Sequence, residues 1–208
     1  MISSKHERHQ SKKLKFMADL AKGRVLDIGC AVFPNTFLDL NDKVNEVYLL
    51  DITKPQKPVP KKTREFILHD LNSGKLPFPN EYFDTVIAAD VIEHLESPII
   101  VIKEINRILK PKGLFLLSLP SQRNVFEILK LLLTGTQIYF PEHKFPMTRR
   151  QTKFWLENAG FSVKKIIGYS VILPFPNREH FVALLTNTKL SLPEIITWQN
   201  IYIAEKVV

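Results

Sequence analysis

Apolar positions along the chain fall into two alternating kinds of stretch. Short aliphatic and β-branched runs bounded by turn residues recur at "RVLDIGC" (Arg24–Cys30), "EVYLLDI" (Glu46–Ile52), "REFILHDL" (Arg64–Leu71), "YFDTVIAAD" (Tyr82–Asp90) and "GLFLLSLP" (Gly113–Pro120). Runs of this length and composition predict buried strands. Between the last two, Val101, Ile102, Ile105, Ile108 and Leu109 repeat at helical spacing. Ser97 is a good N-cap for that helix, Pro98 suits its first position, and Lys110 with Pro111 should end it. A further helix opens at Thr148, which forms a capping-box pattern with Gln151, and closes at Gly160. "FSVKKIIGYS" and "TWQNIYIAEKV" read as two more strands. Strands alternating with helices predict an α/β fold with a parallel sheet covered by helices.

Composition changes this picture little. The chain has 208 residues, 45% hydrophobic and 24% charged, which suits one α/β domain over residues 1–208. No apolar run reaches the roughly 18 residues that span a bilayer, and the basic, polar start lacks the apolar core of a signal peptide, so a cytoplasmic location is expected. Cys30 is the single cysteine, which excludes an internal disulfide and a cysteine-based zinc cluster.

Charge adds more. The formal net charge is +8, concentrated at Lys5–Lys15, within a basic N-terminal helical extension (1–23), and at Lys54–Arg64. Such a balance suits a solvated surface, nucleic acid, anionic lipid or a phosphorylated substrate. Neither cluster interleaves basic with aromatic residues as a nucleic-acid groove does.

The candidate chemistry lies at strand ends. Asp51 ends the second predicted strand, 22 residues after Gly29, and Asp70 and Asp90 end the third and fourth. In an open parallel sheet, ligands bind beyond the carboxyl ends of the strands, and an acid about 20 residues past the first tight turn is placed to accept hydrogen bonds from ribose hydroxyls. The first turn departs from a glycine-rich fingerprint. After Gly29 come Cys30, Ala31, Val32, Phe33 and Pro34, which suggests a helix starting late with Pro34 in its first turn.

With "VLDIGC", "LLDIT", "HDLNSGKLPFPNEYFDTVIAADVIEHLESP", "INRILKPKGLFLLSLPS" and "FWLENAGF" in view, the chain resembles the class I S-adenosylmethionine-dependent methyltransferases, most closely their small-molecule branch. The resemblance implies a Rossmann-like, open, mostly parallel seven-stranded sheet with helices on both faces and an antiparallel last strand. It implies S-adenosyl-L-methionine as cofactor. Asp27, Gly29, Cys30 and Ala31 would form the turn beside its methionine part. Asp51 would bind the ribose hydroxyls, with Ile52 against the adenine. Asp70 would take the adenine amino group, and the Leu71 backbone would meet the ring. Asp90 and Val91 would lie near the transferred methyl. Ala31 and Phe33 stand where the family often has glycine, but a cofactor without pyrophosphate needs no phosphate cradle.

Asp90, Glu93 and His94 invite a metal reading, since some family members hold a divalent ion on a similar group. The reading preferred is no metal, with Glu93 orienting the next helix and His94 lining the pocket. His94 and His143 are the candidate general bases. Residues 121–150, with the apolar stretch Asn124–Phe140, form a substrate-side insertion or lid, a docking face for a membrane or partner, or core. The acceptor class left open is a small molecule or a lipid-like molecule. The alternatives are an RNA methyltransferase and a non-catalytic cofactor-binding scaffold. Contact with a membrane surface would be peripheral, and oligomeric state is not legible.

Overall fold

The structure is a computed structural model and describes residues 4–121, 125–135, 144, 147–174, 181–183, 193–194 and 197–208. Five strands arise where the aliphatic runs predict them: β1 (Gly23–Ile28), β2 (Val44–Asp51), β3 (Thr63–Leu68), β4 (Phe83–Ala89) and β5 (Leu109–Pro120). They are followed by β6 (Phe161–Pro174), the short β7 (Phe181–Ala183) and β8 (Thr197–Lys206). The spatial order is β3-β2-β1-β4-β5-β8-β6-β7. The first five pair in parallel. β8 runs antiparallel between β5 and β6, as expected of the last strand. β7 is a three-residue addition on the outer edge of β6, too short to leave a readable period in the sequence.

Alternation along the strands divides the core in two. Leu26, Tyr48, Val86 and Phe115 face one side, where they meet Val101, Ile102 and Ile105 of α2 (Pro98–Ile108) and Leu156 and Ala159 of α4 (Arg149–Asn158). Val25, Leu49, Ile87 and Leu116 face the other, against Met17, Ala18 and Ala21 of α1 (Ser4–Leu20). α1 is thus one cover of the sheet. Its Lys22 end lies by Thr85 near the start of β4, and Gln10 and Lys13 reach Asp90 just past that strand's end. α3 (Val125–Thr134) follows β5, and of the apolar stretch Asn124–Phe140 residues 124 and 136–140 lie outside the described residues.

Several boundaries differ from the sequence reading for local reasons. The Thr148–Gln151 capping box is present. The helix predicted to carry Pro34 in its first turn is instead a short 3-10 helix, Thr36–Leu40, with Asn35 at its N-cap and Pro34 outside it. α2 ends at Ile108, and Leu109 to Lys112 already belong to β5. Pro111 disfavours helical backbone at Lys110. The pairing of β4 with β5 shifts register there, with Lys112 at φ 60°.

Candidate active site

The loop after β1 crosses the carboxyl ends of the strands with one glycine and a set of side-chain clamps. Gly29 has φ +72°, and a Cβ added there would collide with the Val91 side chain. Only glycine meets both demands. Beyond it, side chains do what further glycines do elsewhere. The Ala31 N–H donates to Asp51 Oδ2 at 2.8 Å, and the Asn35 N–H donates to Asp27 Oδ2 at 3.2 Å. The Asn35 amide reaches the Leu14 carbonyl of α1 at 3.0 Å. The proline-bearing loop after β2 braces the turn from outside: the Gln56 N–H donates to the Ala31 carbonyl, and the Lys57 ammonium stands 4.4 Å over the Phe33 ring. Cys30 and Ala31 are buried in this turn, and burial pushes the Cys30 thiol up, out of the reactive range.

Asp27 sits buried at the base of the turn. Burial raises its carboxyl to about 7, against the lowering effect of the Asn35 N–H and with a further raise from Asp51. Asp51 lies at the end of β2, where Oδ1 accepts the Thr53 N–H at 2.9 Å while Oδ2 holds Ala31. Oδ1 also accepts the Thr53 hydroxyl at 3.3 Å, so Oδ2 keeps a second lone pair for a ligand and Oδ1 gains one when the Thr53 hydroxyl turns to another acceptor. Ile52 follows with its side chain 62% exposed, an apolar surface held beside a carboxylate. Asp70 caps the 3-10 turn Leu71–Ser73 through a 2.8 Å bond from the Asn72 N–H to Oδ1; its residue is exposed, while Leu71 is buried. Asp51 and Asp70 therefore both serve as local caps while standing at neighbouring strand ends. This donor set fits S-adenosylmethionine: carboxylate for a diol, aliphatic surface for a base, and a tight glycine turn for a close-lying chain.

Asp90 is the most heavily engaged acid of the group. It takes φ 56°, and Ser118, Gln199 and Gln10 donate to it at 2.7, 2.9 and 3.3 Å. Lys13, wholly buried, forms an ion pair with it. Burial alone would raise the Asp90 carboxyl, but Lys13 and the hydrogen bonds outweigh it and hold it at about 2. Lys13, Gln10, Ser118 and Gln199 were not identified from the sequence. Lys13 and Asp90 are 77 residues apart, and no local pattern signals such pairing. A cue for α1 did exist: Leu14, Met17, Ala18 and Ala21 sit at helical spacing and are all buried.

The segment after β4 turns at Ile92–His94, a 3-10 helix with Val91 at its N-cap. Glu93 is 2% exposed, and its Oε2 lacks a hydrogen-bond partner among the described residues. Burial, then Asp90, pushes its carboxyl well above the usual range, which favours its neutral form. Lys144 docks here, its N–H on the Glu93 carbonyl at 2.9 Å and its ammonium on Glu96 at 3.1 Å. His94 is half-buried in the same turn. His143 lies outside the described residues. The structure thus brings Gly29, Cys30, Ala31, Asp51, Ile52, Asp70, Leu71, Asp90, Val91 and His94 to one rim, with Asp27 beneath it. Among the described residues, no group of three or more His, Cys, Asp and Glu side chains is arranged to hold a metal.

The family described as "Methyltransferase domain" matches residues 4–166. No curated protein matches the chain. Among solved structures, a SAM-dependent methyltransferase from Archaeoglobus fulgidus is 19% identical, with TM-score 0.67 over 98% of this chain and 95% of that one. The cyclase SpnF is 17% identical, with TM-score 0.67 over 100% of this chain and 83% of that one. An S-adenosylmethionine-dependent methyltransferase from Mesorhizobium loti is 16% identical, with TM-score 0.58 over 93% and 96% of the two chains. Likeness at this identity establishes the fold, which a cyclase shares; the family match establishes more. The chain belongs to the methyltransferase-domain family, an enzyme family whose expected cofactor is S-adenosylmethionine.

Proposed function

We propose that the enzyme transfers a methyl group from S-adenosylmethionine to an oxygen, nitrogen or carbon nucleophile on a small-molecule or lipid-like acceptor. The observation that carries this reading is Asp51. It stands at the end of β2 with a lone pair free on Oδ2 and only the weaker Thr53 hydroxyl bond to displace on Oδ1, beside exposed Ile52 and the Gly29 turn. When bound, the cofactor supplies an electrophilic sulfonium methyl, and the chain's task is position and exclusion of water. In this reading Asp51 accepts from both ribose hydroxyls and Ile52 covers one face of the adenine. Asp70 accepts from the adenine amino group beside the Leu71 backbone. Asp27, Gly29, Cys30 and Ala31 form the turn along the methionine part, and Asp90 and Val91 border the methyl end. Lys13 and Ser118 fix the Asp90 carboxylate, so that this wall keeps its charge and shape. His94 and His143 are the candidates for accepting a proton from an acceptor that arrives protonated, and no metal is assigned a role.

The test is to incubate the enzyme with methyl-labelled S-adenosylmethionine and separated lysate fractions. Label in the metabolite or lipid fraction supports the reading. Label in RNA replaces it with an RNA methyltransferase. Cofactor binding without label in any fraction replaces it with a cofactor-binding scaffold.

A further inference from the structure

Helix α3 reads "VFEILKLLLT". Leu132 is 76% and Leu133 75% exposed, and Ile128 and Leu129 are exposed as well. Neighbouring aliphatic side chains left in water on one helix mark an interaction surface. The place of α3 in the fold indicates its partner. β5 ends at Pro120 and α3 begins at Val125, so α3 leaves from the carboxyl-end rim that bears Gly29, Asp51 and Asp90. The basic end of α1 arrives at the same rim. Gln10 and Lys13 meet Asp90, and the helix continues outward through His9, Arg8 and Lys5 to Ser4. At ~1.5 Å per residue these last turns project roughly 9 Å further. Lys12 is exposed on the same helix, and the whole chain carries a net charge of +8.

Aliphatic side chains enter the boundary between headgroups and acyl chains, while clustered cations attract anionic headgroups. A nucleic acid would use the cations and leave the leucines in water. We propose that this rim docks on an anionic lipid bilayer, with α3 inserted and the mouth of the site turned toward the membrane. A lipid-borne methyl acceptor would follow from the methyltransferase reading above; the docking itself does not depend on it.

The test is flotation of the full chain with vesicles of phosphatidylcholine, with and without phosphatidylglycerol, at low and high salt. Expected is co-flotation with the anionic vesicles that weakens in high salt and without phosphatidylglycerol. Replacing both leucines, Leu132→Asp with Leu133→Asp, should lower partitioning about tenfold or more. Thermal stabilisation by S-adenosylhomocysteine should match wild type, which shows the fold intact; Leu132→Ser with Leu133→Ser is the milder pair if it does not. Lys5→Glu, Arg8→Glu and Lys12→Glu together should reduce binding to the level of phosphatidylcholine alone. Absence of flotation, or flotation indifferent to the leucines, overturns the proposal. So does RNA binding without flotation, or a dimer that the leucine changes abolish without flotation. Flotation that persists while wild type shows no response to S-adenosylhomocysteine would uphold the docking and reject the cofactor reading.

Discussion

Lys13→Met removes the ammonium that α1 sets against Asp90, while keeping most of the buried stem. Breaking a buried pair by deleting one partner costs about 3–5 kcal/mol, because the other charge is left uncompensated. Asp90 is 20% exposed and keeps its bonds from Ser118, Gln199 and Gln10, which places the loss near the lower end, at about 3 kcal/mol. For a chain of this size that is a drop in melting temperature of roughly 6–12 °C. The pH dependence has a definite sign. The Asp90 carboxyl is held at about 2, below its ordinary value, so its stabilising effect is full above about pH 4 and fades as pH falls toward 2. The gap between wild type and Lys13→Met should therefore be widest near neutrality and narrow in acid, where Asp90 of the variant is protonated. Adding Asp90→Asn to Lys13→Met should recover part of the loss at neutral pH, because the stranded charge is gone. Thermal melts across pH measure all three. A change under about 1 °C, or a gap that does not narrow in acid, would refute the ion-pair argument.

Gly29→Ala should destabilise the fold by about 1–3 kcal/mol from its positive φ alone, with more from the Val91 contact, and should abolish stabilisation by S-adenosylhomocysteine; Val91→Ala in the same chain should relieve only the contact. Urea titrations with and without ligand check this. Glu93 is a carboxyl raised by burial and by Asp90, so the folded state binds its proton more tightly than the unfolded state does. Stability should fall as pH rises above the ordinary glutamate range, and Glu93→Gln should flatten that fall in melts at pH 5 and pH 8. Once an acceptor is known, EDTA should leave turnover intact; loss of activity restored by Mg²⁺ would make Asp90, Glu93 and His94 the ligands to examine.

The central strands were legible because they are buried on both faces and their apolar runs stand out, as in "VLDI" and "TVIA"; β3, expected to be buried, is instead an edge strand with Arg64, Glu65 and Leu68 exposed. α2 was legible from spacing, and the start of α4 from the Thr148–Gln151 box. The turn after β1 was half legible. Gly29 marked the tight approach, but the clamps from Asp51, Asp27 and Gln56 depend on strand ends that meet only in the folded chain. The late helix start is present, but the chain is held in bends through Phe33 and helical bonding begins only after Asn35, so the helix is a short 3-10 turn and Pro34 lies outside it. Lys13 was hidden among the other basic residues of α1. What singles it out is its angular position on the same buried side as Leu14 and Met17, within reach of an acid 77 residues away.

Calorimetric titration with S-adenosylhomocysteine tests whether the rim at the ends of β1 and β2 holds S-adenosylmethionine. Wild type should bind at a single site, and Asp51→Ala should weaken binding by about one to three decades, since it removes charge-assisted bonds to two hydroxyls. The variant also loses the anchor of the Ala31 N–H, which adds to the effect. No heat of binding in wild type, or an affinity unchanged by Asp51→Ala, would contradict cofactor binding at this rim.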